Sequence, residues 1–253
     1  DGTARSAVLD IGHHGAVSPE VAVLGDDSFV VVYQRGTADS TQYYTRHFNA
    51  DGTPQGPEAH IHSANSVSAG PAIAALEQGG YVITLEAPDG SEQGIFARRF
   101  ADDGTPQGGA MRVNDLTTRS QTLSDVAALA GGGYAVTWAS QASRFSDNIN
   151  VILRYFDANG VALDYEQFVN TTTAGIQYFP HITGLENGGA AVVWYGIGTA
   201  FLGAKPTRGA LHLYDAQGTS QHDTNITLAS GNTRQGPILP AVTTLETGEV
   251  ITA

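Results

Sequence analysis

Apolar and polar positions alternate along this chain in short runs, and the runs recur. The phrase LGDDSFVVVY (24–33) is matched by LEQGGYVITL (76–85), LAGGGYAVTW (129–138) and LENGGAAVVW (185–194), with a further copy, LETGEVIT, at 245–252. The Leu-to-Leu spacings are 52, 53, 56 and 60. Each copy reads as a tight turn feeding a strand rich in β-branched and aromatic residues. A second phrase keeps phase with the first: FNADG (48–52), FADDG (100–104), FDANG (156–160) and YDAQG (214–218). A third signal is a Pro five residues before each Leu, at Pro19, Pro71, Pro180 and Pro240, with Ser124 in the remaining copy. Three signals in fixed phase mark an internal repeat.

Each repeat predicts four strands. In the second copy these are strand a at 71–76, strand b at 81–86, strand c at 95–100 and strand d at 110–114. Gly-rich hairpin turns join a to b and c to d. No window carries a helical period. Four antiparallel strands every 50–60 residues predict an all-β fold of β-propeller type, in which radial repetition protects sheet edges. Residues 1–253 read as a single domain with repeats starting near 19, 71, 124, 180 and 240. The opening Asp1-Gly2-Thr3 matches Asp51-Gly52-Thr53, so the N-terminus reads as strand d of a blade whose strands a and b lie at the C-terminus. The expectation is a five-bladed ring with four-stranded blades. Its closing blade is shared by the two termini and incomplete, lacking strand c. Either the chain is a fragment of a longer one or more blades lie outside it.

Composition narrows the functions. With 12 Lys plus Arg against 25 Asp plus Glu, the formal net charge is −13, and no basic run could serve nucleic-acid binding. No apolar run reaches the roughly 18 residues of a membrane span, so no membrane insertion is expected. The absence of Cys excludes disulfides, thiolate metal sites and a Cys nucleophile.

The phrases GGYAVTW (132–138), RRFADDGTPQG (98–108) and VNTTTAGIQYFP (169–180) resemble the repeat of very large secreted bacterial proteins, the RTX or hemolysin-type calcium-binding proteins and adhesins. The resemblance covers essentially the whole chain and implies an extracellular or bacterial cell-surface location. The Gly-Gly-x-Gly-x-Asp calcium nonapeptide of those proteins does not occur here.

Candidate chemistry follows from phase. The residue after the recurrent Pro is Glu20, Ala72, Asp125, His181 and Ala241 in the five copies. In a propeller the a strands line the central channel, so these slots meet near its mouth. Glu20, Asp125 and His181 could hold a divalent cation such as Ca2+, perform acid/base work, or simply be hydrated polar residues. The Asx-rich turns read either as cation sites or as turns in which Asp bonds its own backbone. Arg46, Arg98 and Arg154 recur two residues before the strand-c aromatic, with His212 in the fourth copy; they read as partners between strands or blades. The b–c and d–a loops share one face and carry Arg35, Arg119, Arg144, Lys205, Arg208 and Arg234, half of the chain's basic residues. That enrichment points to an anionic ligand, or else to scattered solubilising charge. The primary expectation is an extracellular binding or adhesion module recognising a glycan or surface protein on the loop face. The alternative is a carbohydrate-active enzyme, a glycoside hydrolase or polysaccharide lyase, with its acidic residues at the channel mouth.

Overall fold

The computed structural model describes residues 11, 15–37, 39–66, 68–141, 148–171, 173–197, 208–226, 241–244 and 249–252. Each of the first four repeats folds into a four-stranded antiparallel sheet with its strands in sequence order. The first sheet holds β1 (Val17–Val23), β2 (Phe29–Thr37), β3 (Ser40–Phe48) and β4 (Ala59–Ala64). The second holds β5 (Ala72–Ala75), β6 (Tyr81–Pro88), β7 (Gln93–Phe100) and β8 (Met111–Arg112). The third holds β9 (Gln121–Ala128), β10 (Tyr134–Ser140), β11 (Asn150–Phe156) and β12 (Gln167–Phe168). The fourth holds β13 (Ile176–Gly184), β14 (Ala190–Ile197), β15 (Arg208–Tyr214) and β16 (Ser220–Ile226), and a pair, β17 (Val242–Thr244) with β18 (Val250–Thr252), follows it. The a strands are neighbours in turn: β1 lies against β5, β5 against β9, β9 against β13 and β13 against β17. Sheets packed side by side through their first strands are arranged as propeller blades.

The repeated phrases have local causes. At the a–b turns of the first four repeats the amide of the Leu donates back across the hairpin, as in Leu76 N to the Gly80 carbonyl at 2.9 Å and Leu185 N to the Gly189 carbonyl at 2.9 Å. The last Gly of the turn lies under strand c. A Cβ on Gly80 would stand 2.2 Å from the Phe100 carbonyl, and one on Gly189 2.0 Å from that of Tyr214. The first residue of strand b then stacks on the strand-c aromatic: Phe29 on Phe48, Tyr81 on Phe100 and Tyr134 on Phe156, with centroids 5.0, 5.1 and 4.9 Å apart.

Apolar side chains fill the spaces between blades. One cluster joins Val30 and Val32 of the first blade to Ile83 and Leu85 of the second. Another joins Val82 and Ile95 to Val136 and Trp138, and a third joins Leu153 to Val192 and Trp194. Trp138 and Trp194, 1% and 6% exposed, are packing residues and not open stacking platforms.

The recurrent cation two residues before the strand-c aromatic reaches the preceding blade. Nη1 of Arg98 donates to the Ile61 carbonyl at 2.6 Å, and Nη1 of Arg154 to the Val113 carbonyl at 2.6 Å. Nδ1 of His212 bonds the Val169 carbonyl at 2.9 Å. The partner is therefore a strand-d carbonyl next door; Arg154 adds a carboxylate, Asp115, at 2.9 Å. Asp51, Asp103, Asp157 and Asp215 accept amide hydrogen bonds two residues ahead, from Thr53, Thr105, Asn159 and Gln217. These are Asx turns, and the Gly that follows has φ near +80° (85°, 83°, 83° and 73°).

Candidate functional site

The site begins with an irregularity in strand a. In the first, third and fourth blades the pairing of strands a and b shifts register just before the slot residue, between Val17 and Glu20, Thr122 and Asp125, and Tyr178 and His181. Inside each bulge sits a non-Gly residue in the left-handed region: Ser18 at φ 51°, Leu123 at 56° and Phe179 at 53°. Such a conformation is a departure for bulky residues, and bulges re-aim the side chains beside them. The second blade differs. Its equivalent residue is Gly70, at φ 144°, and its slot residue is Ala72, which contributes only a methyl.

The three ionisable slots lie together. Nδ1 of His181 stands 3.3 Å from Oδ2 of Asp125. Asp125 also accepts the amides of Val126 at 2.9 Å and, from the next blade, Ile182 at 3.0 Å. These contacts occupy both of its oxygens and fix their direction. Glu20 lies within electrostatic reach of both. Desolvation raises its carboxyl above the usual range, the negative charge of Asp125 raises it further, and His181 opposes the rise. His181 is itself raised, first by its hydrogen bond to Asp125 and then by the charges of Asp125 and Glu20, against the pull of desolvation. Glu20 is exposed, and the side chains of His181 and Asp125 are 45% and 24% exposed, so the group opens to solvent. The arrangement offers one carboxyl raised above its ordinary range and a second fixed by hydrogen bonds to His181 and two amides, and unlike environments of that kind suit acid and base roles.

Among the described residues no three His, Asp or Glu side chains are disposed to hold a metal ion. Of the loop cations, Arg35 belongs to β2 and is engaged. Its guanidinium grips Glu58, with Nη1 to Oε1 at 2.9 Å and a second bond to Oε2, and it lies 4.5 Å from the Tyr44 ring centroid. Arg119 lies in the loop between β8 and β9 at φ 65°. Arg144, Lys205, Arg234 and the side chain of Arg208 lie outside the described residues.

One residue that sequence reasoning missed is Glu86, at the end of β6 and 1% exposed. Its oxygens accept the amides of Leu123 at 2.6 Å and Ala69 at 3.0 Å. Burial raises its carboxyl, and these bonds together with one from Ser68 oppose the rise. The available signal was an acid closing an otherwise apolar strand, where the other blades carry Gln34, Ala139 and Tyr195.

The fold and the cluster on its a strands define an all-β protein of repeated four-stranded sheets with ionisable side chains gathered on their first strands. No family model and no curated protein matches the chain. Solved structures do resemble it. One is a protein of unknown function from Dyadobacter fermentans, at TM-score 0.63 and 12% identity, covering 94% of this chain and 74% of that one. Another is the α-L-arabinofuranosidase from Lactobacillus brevis, at 0.53 and 11%, covering 93% and 81%. A third is a thermostable family-43 glycoside hydrolase, at 0.54 and 8%, covering 94% and 82%. At these identities the likeness is one of fold. It corrects the expectation of a binding or adhesion module: where these neighbours have a stated activity, it is glycoside hydrolysis.

Proposed function

We propose that this chain is a carbohydrate-active enzyme, a glycoside hydrolase working at Glu20 and Asp125. The observation that carries the reading is the electrostatic cluster of Glu20, Asp125 and His181 on three a strands, each placed by its own backbone bulge. Glycoside hydrolysis needs a proton donor for the leaving oxygen and a second carboxylate for the water or the sugar. Glu20, with its raised carboxyl, is the donor. Asp125, held by two amides and His181, is the base or nucleophile. His181 orients Asp125 and balances its charge. The glycoside hydrolases among the structural neighbours support a glycan as substrate, and the repeat's resemblance to secreted bacterial proteins supports an extracellular setting.

A panel of 4-nitrophenyl glycosides, including the α-L-arabinofuranoside, together with plant and microbial polysaccharides, tests this. At least one substrate should be cleaved, and Asp125→Asn should lower kcat by about 10²-fold or more, the scale of a lost acid/base group. No cleavage across the panel overturns the reading.

The proposed architecture is a five-bladed ring whose closing blade is shared by the two ends. Nη1 of Arg46 donates to the Ile11 carbonyl at 3.4 Å, repeating the bonds of Arg98 to Ile61 and Arg154 to Val113. Ile11 thus holds the strand-d position of a blade preceding the first, and it packs on Val31, Tyr33 and Phe48. Spin labels at Ile11→Cys and Ile251→Cys, in a chain otherwise free of Cys, should report backbones about 10 Å apart, two strand spacings. A separation beyond about 30 Å, more than six such spacings, removes the shared blade.

A further inference from the structure

Glu86 is the only Asp or Glu among the buried described residues. No cation enters its electrostatics. The titratable group facing it is Tyr43, whose hydroxyl donates to the Glu86 backbone carbonyl at 2.9 Å. A buried carboxylate without a counter-charge is costly, and the fold does not demand one, since the equivalent positions hold Gln34, Ala139 and Tyr195.

What the carboxylate holds is backbone near the site. Oε1 accepts the amide of Leu123, the bulge residue at φ 56° that lies two positions before Asp125. Beside it, Ser124 Oγ donates to Thr84 Oγ1 at 3.1 Å, a second tie from the same bulge to the second blade. Oε2 accepts the amide of Ala69, whose carbonyl in turn accepts Ser18 Oγ at 3.4 Å. Ser18 is the bulge residue two positions before Glu20. One side chain therefore links the two bulges that aim the two carboxylates. Where the slot is the inert Ala72, the bulge position is Gly70, which takes positive φ without strain. In the four blades whose bulge position is described, a non-Gly residue takes positive φ there in the three whose slot is ionisable, and strain held beside such groups is a pointer to function.

We propose that Glu86 is a positioning residue: its carboxylate pins the Leu123 bulge, and through it the orientation of Asp125 toward His181 and Glu20. The proposal deepens the reading of these three residues as the working site and rests on it.

The test reads the titration of His181 by NMR, with its signals assigned by their loss in His181→Gln. In the wild type His181 should titrate above the ordinary imidazole value of about 6.5, because Asp125 is beside it. Glu86→Gln keeps the size of the side chain but sets an amide NH2 against a backbone N–H, and Gln34 shows that the fold accepts Gln at this position. In that variant His181 should fall to the ordinary value, as it should in Asp125→Asn, and combining the two should lower it no further. Adding Leu123→Gly to Glu86→Gln should restore the raised titration, because Gly needs no anchor to hold positive φ. The proposal is overturned by a folded Glu86→Gln that titrates like the wild type, or by a double variant that stays at the ordinary value. If Glu86→Gln does not fold, the double variant decides; if that also fails to fold, Glu86 is only a core residue and the proposal falls. Turnover is not the readout, so a wild type that cleaves no glycan sinks the functional reading while leaving this result intact.

Discussion

A His beside a carboxylate changes its proton affinity, and the change has a sign. The folded-state value of His181 is raised, chiefly by its bond to Asp125. The protonated pair therefore stabilises the fold fully below the ordinary imidazole value of about 6.5, and that contribution is lost as pH rises through the higher folded value. Melting curves of wild type and His181→Gln should differ most near pH 5.5 and converge by about pH 8.5. A difference that grows with pH would show that His181 is not held by Asp125. At this scale the sequence was half legible. Phase alone picked out Glu20, Asp125 and His181, because a repeat places equivalent residues at equivalent points of an array. It could not show the bulges. Positive φ at Leu123 and Phe179 runs against the preference of the residues themselves, and at Leu123 it is accompanied by a bond from the backbone amide to Glu86 of the neighbouring blade. Glu86 went unremarked for the same reason: its partners are backbone amides 17 and 37 residues away.

Strands and turns were read more fully. The second repeat was expected to pair strands at 71–76, 81–86, 95–100 and 110–114, and β5 to β8 occupy Ala72–Ala75, Tyr81–Pro88, Gln93–Phe100 and Met111–Arg112. Strand b was legible because it is buried on both faces and hence mostly apolar, as in Tyr81–Ala87, where only Thr84 and Glu86 are polar. Strand d was overestimated because the ladder ends early: Val113 and Asn114 stay buried, but the Ile95 amide donates to the Asn114 side-chain oxygen at 2.8 Å in place of a backbone carbonyl. Sequence also marked Arg98 and Arg154 as ties between blades, but not that their main acceptors are carbonyls. Those bonds give the second prediction. Arg98 reaches two carbonyls, Ile61 at 2.6 Å and Gly108 at 3.2 Å, and its guanidinium lies 5.3 Å from the Phe100 ring centroid. Arg98→Met keeps the stem and loses the donors, so it should cost about 1.5–3 kcal/mol in urea unfolding, the range for bonds to a charged group. Arg98→Lys should recover only part of that, because an ammonium lacks the planar fork that spans two acceptors. Equal stability of Arg98→Lys and wild type would reduce the tie to simple charge.

At the scale of the whole molecule, repetition builds a scaffold and the departures from repetition build the site. Four sheets share turns and inter-blade ties, and three of them a stacked aromatic pair between strands b and c. They differ in the slot residue, in the bulge before it and at the position of Glu86. That contrast explains why the fold was legible from one sequence while its use was not: a fold hosts many activities, and the loop cations offered a second candidate surface beside the a strands. Arg35, the first of those cations, proves to be neutralised within its own blade by Glu58. The central claim is that Glu20 is the proton donor of a glycoside hydrolase, and the dependence on leaving group tests it most directly. A donor matters when the departing oxygen is basic and hardly at all when it leaves unaided. On whichever glycoside the enzyme cleaves, Glu20→Gln should lower kcat/KM by about 10²-fold or more for a sugar leaving group and by less than about tenfold for 2,4-dinitrophenolate. Equal losses on both substrates, or none on either, would contradict the assignment of Glu20 and with it the account of the site.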